Sequence, residues 1–242
     1  PALIQLALGA VLPTDDFEFV RPHEYYGFVQ TILVLFVAAM ASELVGNDRK
    51  SNTLPLYFSR PIQRSDYVLA KVGALTIGLQ MLTLVPQLLM FVGNWLGAAD
   101  GSGWLSDNIT DLPAIVVSAV LVSAQMASLA IVVATFSTKR AFAMVAILAL
   151  FLLSLVTAAV LADMLPVGAG RIVLMLSPIY VTRAVSLVLF DAMPHAPPME
   201  FASGPDEQIA AAGVPGVVWV AVCIAHISLA IWFAIRRYRD TI

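Results

Sequence analysis

The stretch 43-ELVGNDRKSNTLPLYFSRPIQRSDYVLAK-71 decides the fold. It is the longest polar, basic interruption in a chain of 242 residues that is 60% hydrophobic and only 12% charged. Five of the 13 Lys and Arg residues lie in it: Arg49, Lys50, Arg60, Arg64 and Lys71. A soluble domain is about 45–50% apolar and about 25% charged. Both departures specify an integral membrane protein, and apolar runs of this length specify helical spans, because only helices satisfy their own backbone within lipid. The fold class is therefore all-α and polytopic, with the quoted stretch as a polar connection between two spans.

Upstream lies an apolar run over residues 25–45, with Tyr25 and Tyr26 placed for an interfacial aromatic belt. The acidic segment 13–24, PTDDFEFVRPHE, reads as a loop. Residues 1–12 are apolar but shorter than the roughly 20 needed to cross, and no basic region precedes them as in a signal peptide. They read as the outer end of a first span whose beginning precedes Pro1.

Downstream, residues 67–96 form the third span, with Ser65 and Asp66 suited to its N-cap and first turn and Pro86 predicted to kink it. A Gly-rich acidic loop follows over 97–111. Spans at 112–136 and 141–162 flank the basic turn Thr138-Lys139-Arg140. The run 172–190 is interrupted by Pro178 and Arg183, a Pro-rich acidic loop follows, and a last span covers 214–235. Basic residues near membrane ends stay on the cytoplasmic side. With the 43–71 stretch, the 138–140 turn and the C-terminus inside, all 13 Lys and Arg except Arg21, Arg171 and Arg183 are cytoplasmic. All 16 Asp and Glu except Glu43, Asp48, Asp66 and Asp240 are then external. Six spans with both termini inside meet this alternation, provided that 172–190 does not cross. Pro178 and Arg183 argue against a lipid-exposed span there, so the segment is expected to be an external or re-entrant helical pair shielded by protein.

No GxxxxGK[ST] phosphate loop occurs, nor any HExxH or CxxC metal spacing, and three histidines assign no catalytic set. The chain is read as non-enzymatic, without a metal or cofactor of its own. The single cysteine, Cys223, allows no internal disulfide. Gln30, Gln80, Gln87, Gln125 and His226 lie inside spans, where they serve as interhelical hydrogen-bonding groups or line a pathway. Glu43, at the inner end of a span, is expected to pair with Lys71 or Arg64 at the start of the next helix.

Within the opening stretch, Ser51 or Asn52 caps a short helix over 51–58, with Pro55 in its first turn. Leu54, Leu56, Tyr57 and Phe58 give it an apolar surface, and Arg49, Lys50, Arg60 and Arg64 flank it. Such an element can rest on anionic lipid with no partner. The order Glu43, Thr53-Leu54, Ser59-Arg60-Pro61-Ile62, Arg64, Tyr67, Lys71 nevertheless resembles the first cytoplasmic loop of type-2 ABC transporter permeases, and Ser177-Pro178-Ile179-Tyr180 resembles a segment before their last span. The resemblance implies a permease that exports substrate from a bacterial cell across the plasma (inner) membrane. It pairs with a second permease, identical or homologous, and with two ATPase subunits on separate chains, which hold the ATP and Mg. Residues 51–58 would be the coupling helix, with Leu54, Leu56, Tyr57 and Phe58 docking into the ATPase and Arg49, Arg60 and Arg64 contacting its rim. No nucleic-acid partner is implied. The competing readings are a membrane scaffold or assembly protein whose basic loop binds lipid or another subunit, and an ion-coupled secondary transporter. The near absence of midplane charge speaks against the latter.

Overall fold

The computed structural model describes residues 22–50, 64–137, 139–195 and 204–239. The helices are α1 (Tyr25–Lys50), α2 (Arg64–Gly97), α3 (Gly101–Asn108), α4 (Asp111–Ala134), α5 (Arg140–Met164), α6 (Val167–Leu176), α7 (Pro178–Leu189), α8 (Pro205–Ala211) and α9 (Gly216–Arg239). No strand occurs among the described residues. Five helices, α1, α2, α4, α5 and α9, are long and apolar enough to cross a membrane. The first span expected at 1–12 and the coupling helix expected at 51–58 lie outside the described residues.

α4 is the centre of the bundle and touches α1, α2, α5, α7 and α9. Its small residues permit this. Ser118, Ala119, Ser123, Ala127, Ser128 and Ala130 are all buried, and without bulky side chains neighbouring backbones approach closely, which is how helices associate where no water drives them together. α5 lies at the other extreme. Phe142, Val145, Leu153 and Val156 are exposed along it, as expected of a helix facing acyl chains.

The candidate spans Tyr25–Gly46 and Ser65–Gly97 agree with those expected, and the helices that carry them run further, α1 to Lys50 and α2 from Arg64. Leaving the apolar layer does not end a helix whose backbone is internally bonded, so hydropathy marks the membrane edge and not the helix end. Ser65 and Asp66 lie inside the first turn of α2. Tyr25 and Tyr26 are buried at 2% and 1% exposure instead of facing an interfacial belt, because each hydroxyl has a partner inside the bundle. The loop expected over 97–111 contains α3, whose N-cap Asp100 accepts from the Gly103 N–H at 3.1 Å and from the Ser102 hydroxyl at 2.8 Å. The Pro-rich loop contains α8, started by Pro205 at its first position with Asp206 and Glu207 in the first turn, an arrangement that favours a helix N-terminus.

The 172–190 segment is a helical pair, as its Pro178 suggested. α6 and α7 meet at 97°, with Ser177 extended between them (φ −81°, ψ 118°). Pro178 opens α7, where its missing N–H costs nothing.

Candidate functional site

The interior holds a polar node built on Gln125, which is fully buried on α4. Its amide nitrogen donates to the Pro178 carbonyl (3.3 Å) and to His226 Nδ1 (3.1 Å). Its amide oxygen accepts from Cys223 Sγ (3.3 Å) and Thr182 Oγ1 (3.5 Å). With Nδ1 accepting, the His226 ring is neutral and carries its proton on Nε2. The single Thr182 hydroxyl proton lies closer to the Pro178 carbonyl, at 2.9 Å, so its contact with Gln125 is the weaker of the two. One side chain thus ties α4 to both α7 and α9, at the first turn of α7, where the segment breaks. Sequence reading singled out Gln125 and His226 but not their meeting, and it missed Thr182 and Cys223. A hydroxyl and a thiol look innocuous in an apolar run until a partner is seen.

Gln30 and Gln80 are half-buried, and Gln87 is 1% exposed. The Gln80 side-chain oxygen and both amide atoms of Gln87 are buried without a hydrogen-bond partner. Further ties run from Tyr26 to Ser118 (3.2 Å, α1 to α4) and from Thr83 to Ser123 (3.0 Å, α2 to α4).

At the Lys50 end of α1 the expected Glu43–Lys71 pair gives way to another. Glu43 accepts from Arg140 Nη2 at 3.1 Å, the two side chains being 45% and 60% exposed. α5 packs on α1, so its first residue reaches Glu43. Lys71 Nζ donates instead to the Leu44 carbonyl at 2.8 Å and lies 5.5 Å from the centre of the Tyr67 ring. Tyr67 packs edge-on against Tyr238 of α9 at 5.3 Å, and Arg237 lies over Phe136. The helices on either side of residues 51–63 are thereby joined to α5 and α9. An exposed ion pair such as Glu43–Arg140 contributes about 0–1 kcal/mol, so the packing carries more of this junction than the charges do. Leu54, Leu56, Tyr57, Phe58 and Arg60 lie outside the described residues. Arg49 lies in the last turn of α1, and Arg64 starts α2.

At the opposite end the broken segment is held by charge. Arg183 of α7 makes a two-pronged contact with Asp206 of α8, through Nε at 2.9 Å and through Nη2. Gly27 gives it room, since a Cβ there would stand 2.6 Å from Arg183 Nη1. The Tyr180 hydroxyl donates to Gln208 Oε1, and Gln208 Nε2 donates to Asp163 of α5 at 2.9 Å. An arginine inside an apolar run was the available signal, because it demands a nearby acid. Which acid was not readable.

Among the described residues, no cluster of three or more His, Cys, Asp or Glu side chains is arranged to hold a metal. The family model described as ABC-2 family transporter protein matches residues 5–238. No curated protein matches the sequence.

Proposed function

The chain belongs to the ABC-2 transporter family, and from that premise we propose that it is the permease subunit of an ATP-driven exporter in a bacterial inner membrane, with both termini cytoplasmic. The observation that carries the reading is the extent of the family match, residues 5–238, which takes in the 43–71 stretch as well as the spans.

In this reading two ATPase subunits on separate chains bind ATP and Mg, and a second permease, identical or homologous, completes the pathway. Closure of the ATPase pair pushes on residues 51–58, where Leu54, Leu56, Tyr57 and Phe58 dock and Arg49, Arg60 and Arg64 contact the rim. Rim charges set encounter more than affinity. The push reaches α1 and α2 directly, since they end and begin at Lys50 and Arg64. Lys71 to the Leu44 carbonyl ties α2 to α1, and Glu43–Arg140 and Tyr67–Tyr238 pass the push on to α5 and α9. The Gln125 node, shared by α4, α7 and α9, is where a relative movement of these helices would be felt in the interior. The pathway then opens to the outside and substrate leaves.

The test is to purify the chain together with the products of its neighbouring genes and ask whether an ATPase subunit co-purifies, before and after Leu56→Asp and Tyr57→Asp. Loss of the complex, or loss of transport-coupled ATP hydrolysis, is expected for both variants. If complex and activity survive unchanged, the assignment of residues 51–58 as the coupling helix is wrong; if no ATPase co-purifies with the unaltered chain, the reading as a membrane scaffold gains the ground.

A further inference from the structure

A cavity of about 170 Å³ lies between the last turns of α2, the short helix α3 and the start of α4, with Pro22 and His23 closing one side. Gln87, Phe91, Trp104, Asn108 and Asp111 are in its wall. Two of these side chains are incomplete. Gln87 is 1% exposed and its amide makes no full hydrogen bond; its polar neighbour is the Tyr26 hydroxyl, which bonds Ser118 at 3.2 Å. Folded proteins rarely leave a buried amide unpartnered, so such a group marks a place for something bound. Asp111, half-buried in the first turn of α4, has no hydrogen bond or ion pair among the described residues. His23 stands near it and is 4.0 Å from Glu24.

The remaining wall sets the sign and size of an occupant. Phe91 and Trp104 meet edge-on at 5.2 Å, and aromatic rings beside a carboxylate attract a cation and not an anion. An apolar cavity of about 150 Å³ holds a benzene molecule, so this one takes a group of about that size. The Gln87 amide oxygen offers an acceptor to an N–H.

We propose that this cavity binds the ammonium group of a small organic amine. The charge lies against Asp111 and the Phe91 and Trp104 rings, and the Gln87 amide completes the contact. The same chemistry is offered by a free amine and by the ammonium headgroup of a lipid. The inference is independent of the ATPase, because every group it uses belongs to this chain.

The probe is 4-fluorobenzylamine, added to the full chain in maltoside micelles and followed by 19F line broadening against empty micelles. Its neutral counterpart is 4-fluorobenzyl alcohol. Saturable broadening by the amine is expected, with at least tenfold weaker binding of the alcohol. Asp111→Asn should weaken amine binding at least tenfold and Gln87→Leu about fivefold, with melting temperatures recorded alongside. Asn108→Phe fills the cavity from α3, away from the spans, and should abolish binding even if a span variant fails to fold. Equal binding of amine and alcohol, unchanged binding in Asp111→Asn, binding retained in Asn108→Phe, or no saturable broadening in the unaltered chain would each overturn the proposal. Phosphatidylethanolamine added to the micelles then separates the sources. Competitive displacement of the probe assigns the site to a lipid headgroup, and undiminished probe binding assigns it to a soluble amine.

Discussion

At the scale of single residues, the membrane interior makes every backbone group an obligation, and Pro86 shows how one is met. Proline has no N–H, so the carbonyl four residues earlier loses its helical partner. That carbonyl belongs to Leu82, and the Tyr25 hydroxyl of α1 donates to it. α2 therefore runs unbroken through Pro86. Removing the hydroxyl in Tyr25→Phe is expected to lower stability by about 1–3 kcal/mol, the cost of an orphaned buried acceptor. In a Pro86→Ala background the N–H returns and most of that loss should vanish. Melting temperatures of the two single variants and the double variant measure this, and an equal loss in both backgrounds would refute the link. Pro86 was legible in the sequence. Its compensation was not, because Tyr25 is 57 positions away and a tyrosine beside a span carries the same signature as an interfacial anchor. Asp100 gives a second residue-scale expectation. The Gly103 backbone N–H and then the Ser102 hydroxyl hold its carboxyl below the usual value of 3.8. Since folding lowers this pKa, the cap is fully favourable above pH 3.8 and is lost as pH falls through the lower folded value. The Gly103 amide shift should titrate with a midpoint below 3.8 and not at all in Asp100→Asn. A midpoint at or above 3.8 would deny the cap.

At the scale of elements, the broken segment shows what apolar patterning can and cannot specify. Pro178 announced the break, and Arg183 announced that the second half is not lipid-facing. The sequence is silent on how such a segment is kept in place, because its holders come from elsewhere: Gln125 from α4, and Asp206 and Gln208 from a stretch that looks like loop. α8 is short, and Pro205, Asp206 and Glu207 supply its start, so it lacks the apolar periodicity by which a helix is recognised. Its role is to carry Asp206 and Gln208 to α7. The Arg183 side chain is 12% exposed and that of Asp206 32%, so deleting the acid leaves a largely buried guanidinium without its carboxylate. Asp206→Asn is expected to destabilise by about 1.5–3 kcal/mol, the range for hydrogen bonds to charged groups. Arg183→Lys should not be neutral, because an ammonium does not reproduce a planar two-pronged contact. A double-mutant cycle with Arg183→Met separates this pair from general disturbance of α8. Additive losses would mean that the two side chains do not act together.

At the scale of the whole molecule, the distribution of charge and the parity of crossings constrain each other. Lys71, Lys139, Arg140, Arg236 and Arg237 gather at one end of the bundle, while Asp100, Asp111, Asp163 and Asp206 lie at the ends or connections opposite. α5 starts at the basic end and carries Asp163 in its last turn. α9 must return to that end for Tyr238 to meet Tyr67 and for Arg237 to lie over Phe136. Between them, the pair α6–α7 has to begin and finish on one side, and a 97° bend suits such a re-entrant path. Cysteine labelling tests parity and orientation together. The native Cys223 is fully buried, so it contributes little background. Thr138→Cys precedes α5, and Ser203→Cys precedes α8. With an impermeant maleimide on intact cells, Ser203→Cys is expected to label at once and Thr138→Cys only after permeabilisation. The reverse pattern would invert the protein in the membrane. Labelling of both only after permeabilisation would place an even number of crossings between them, making α6–α7 a bent span and putting Arg236 and Arg237 outside against the usual preference of basic residues.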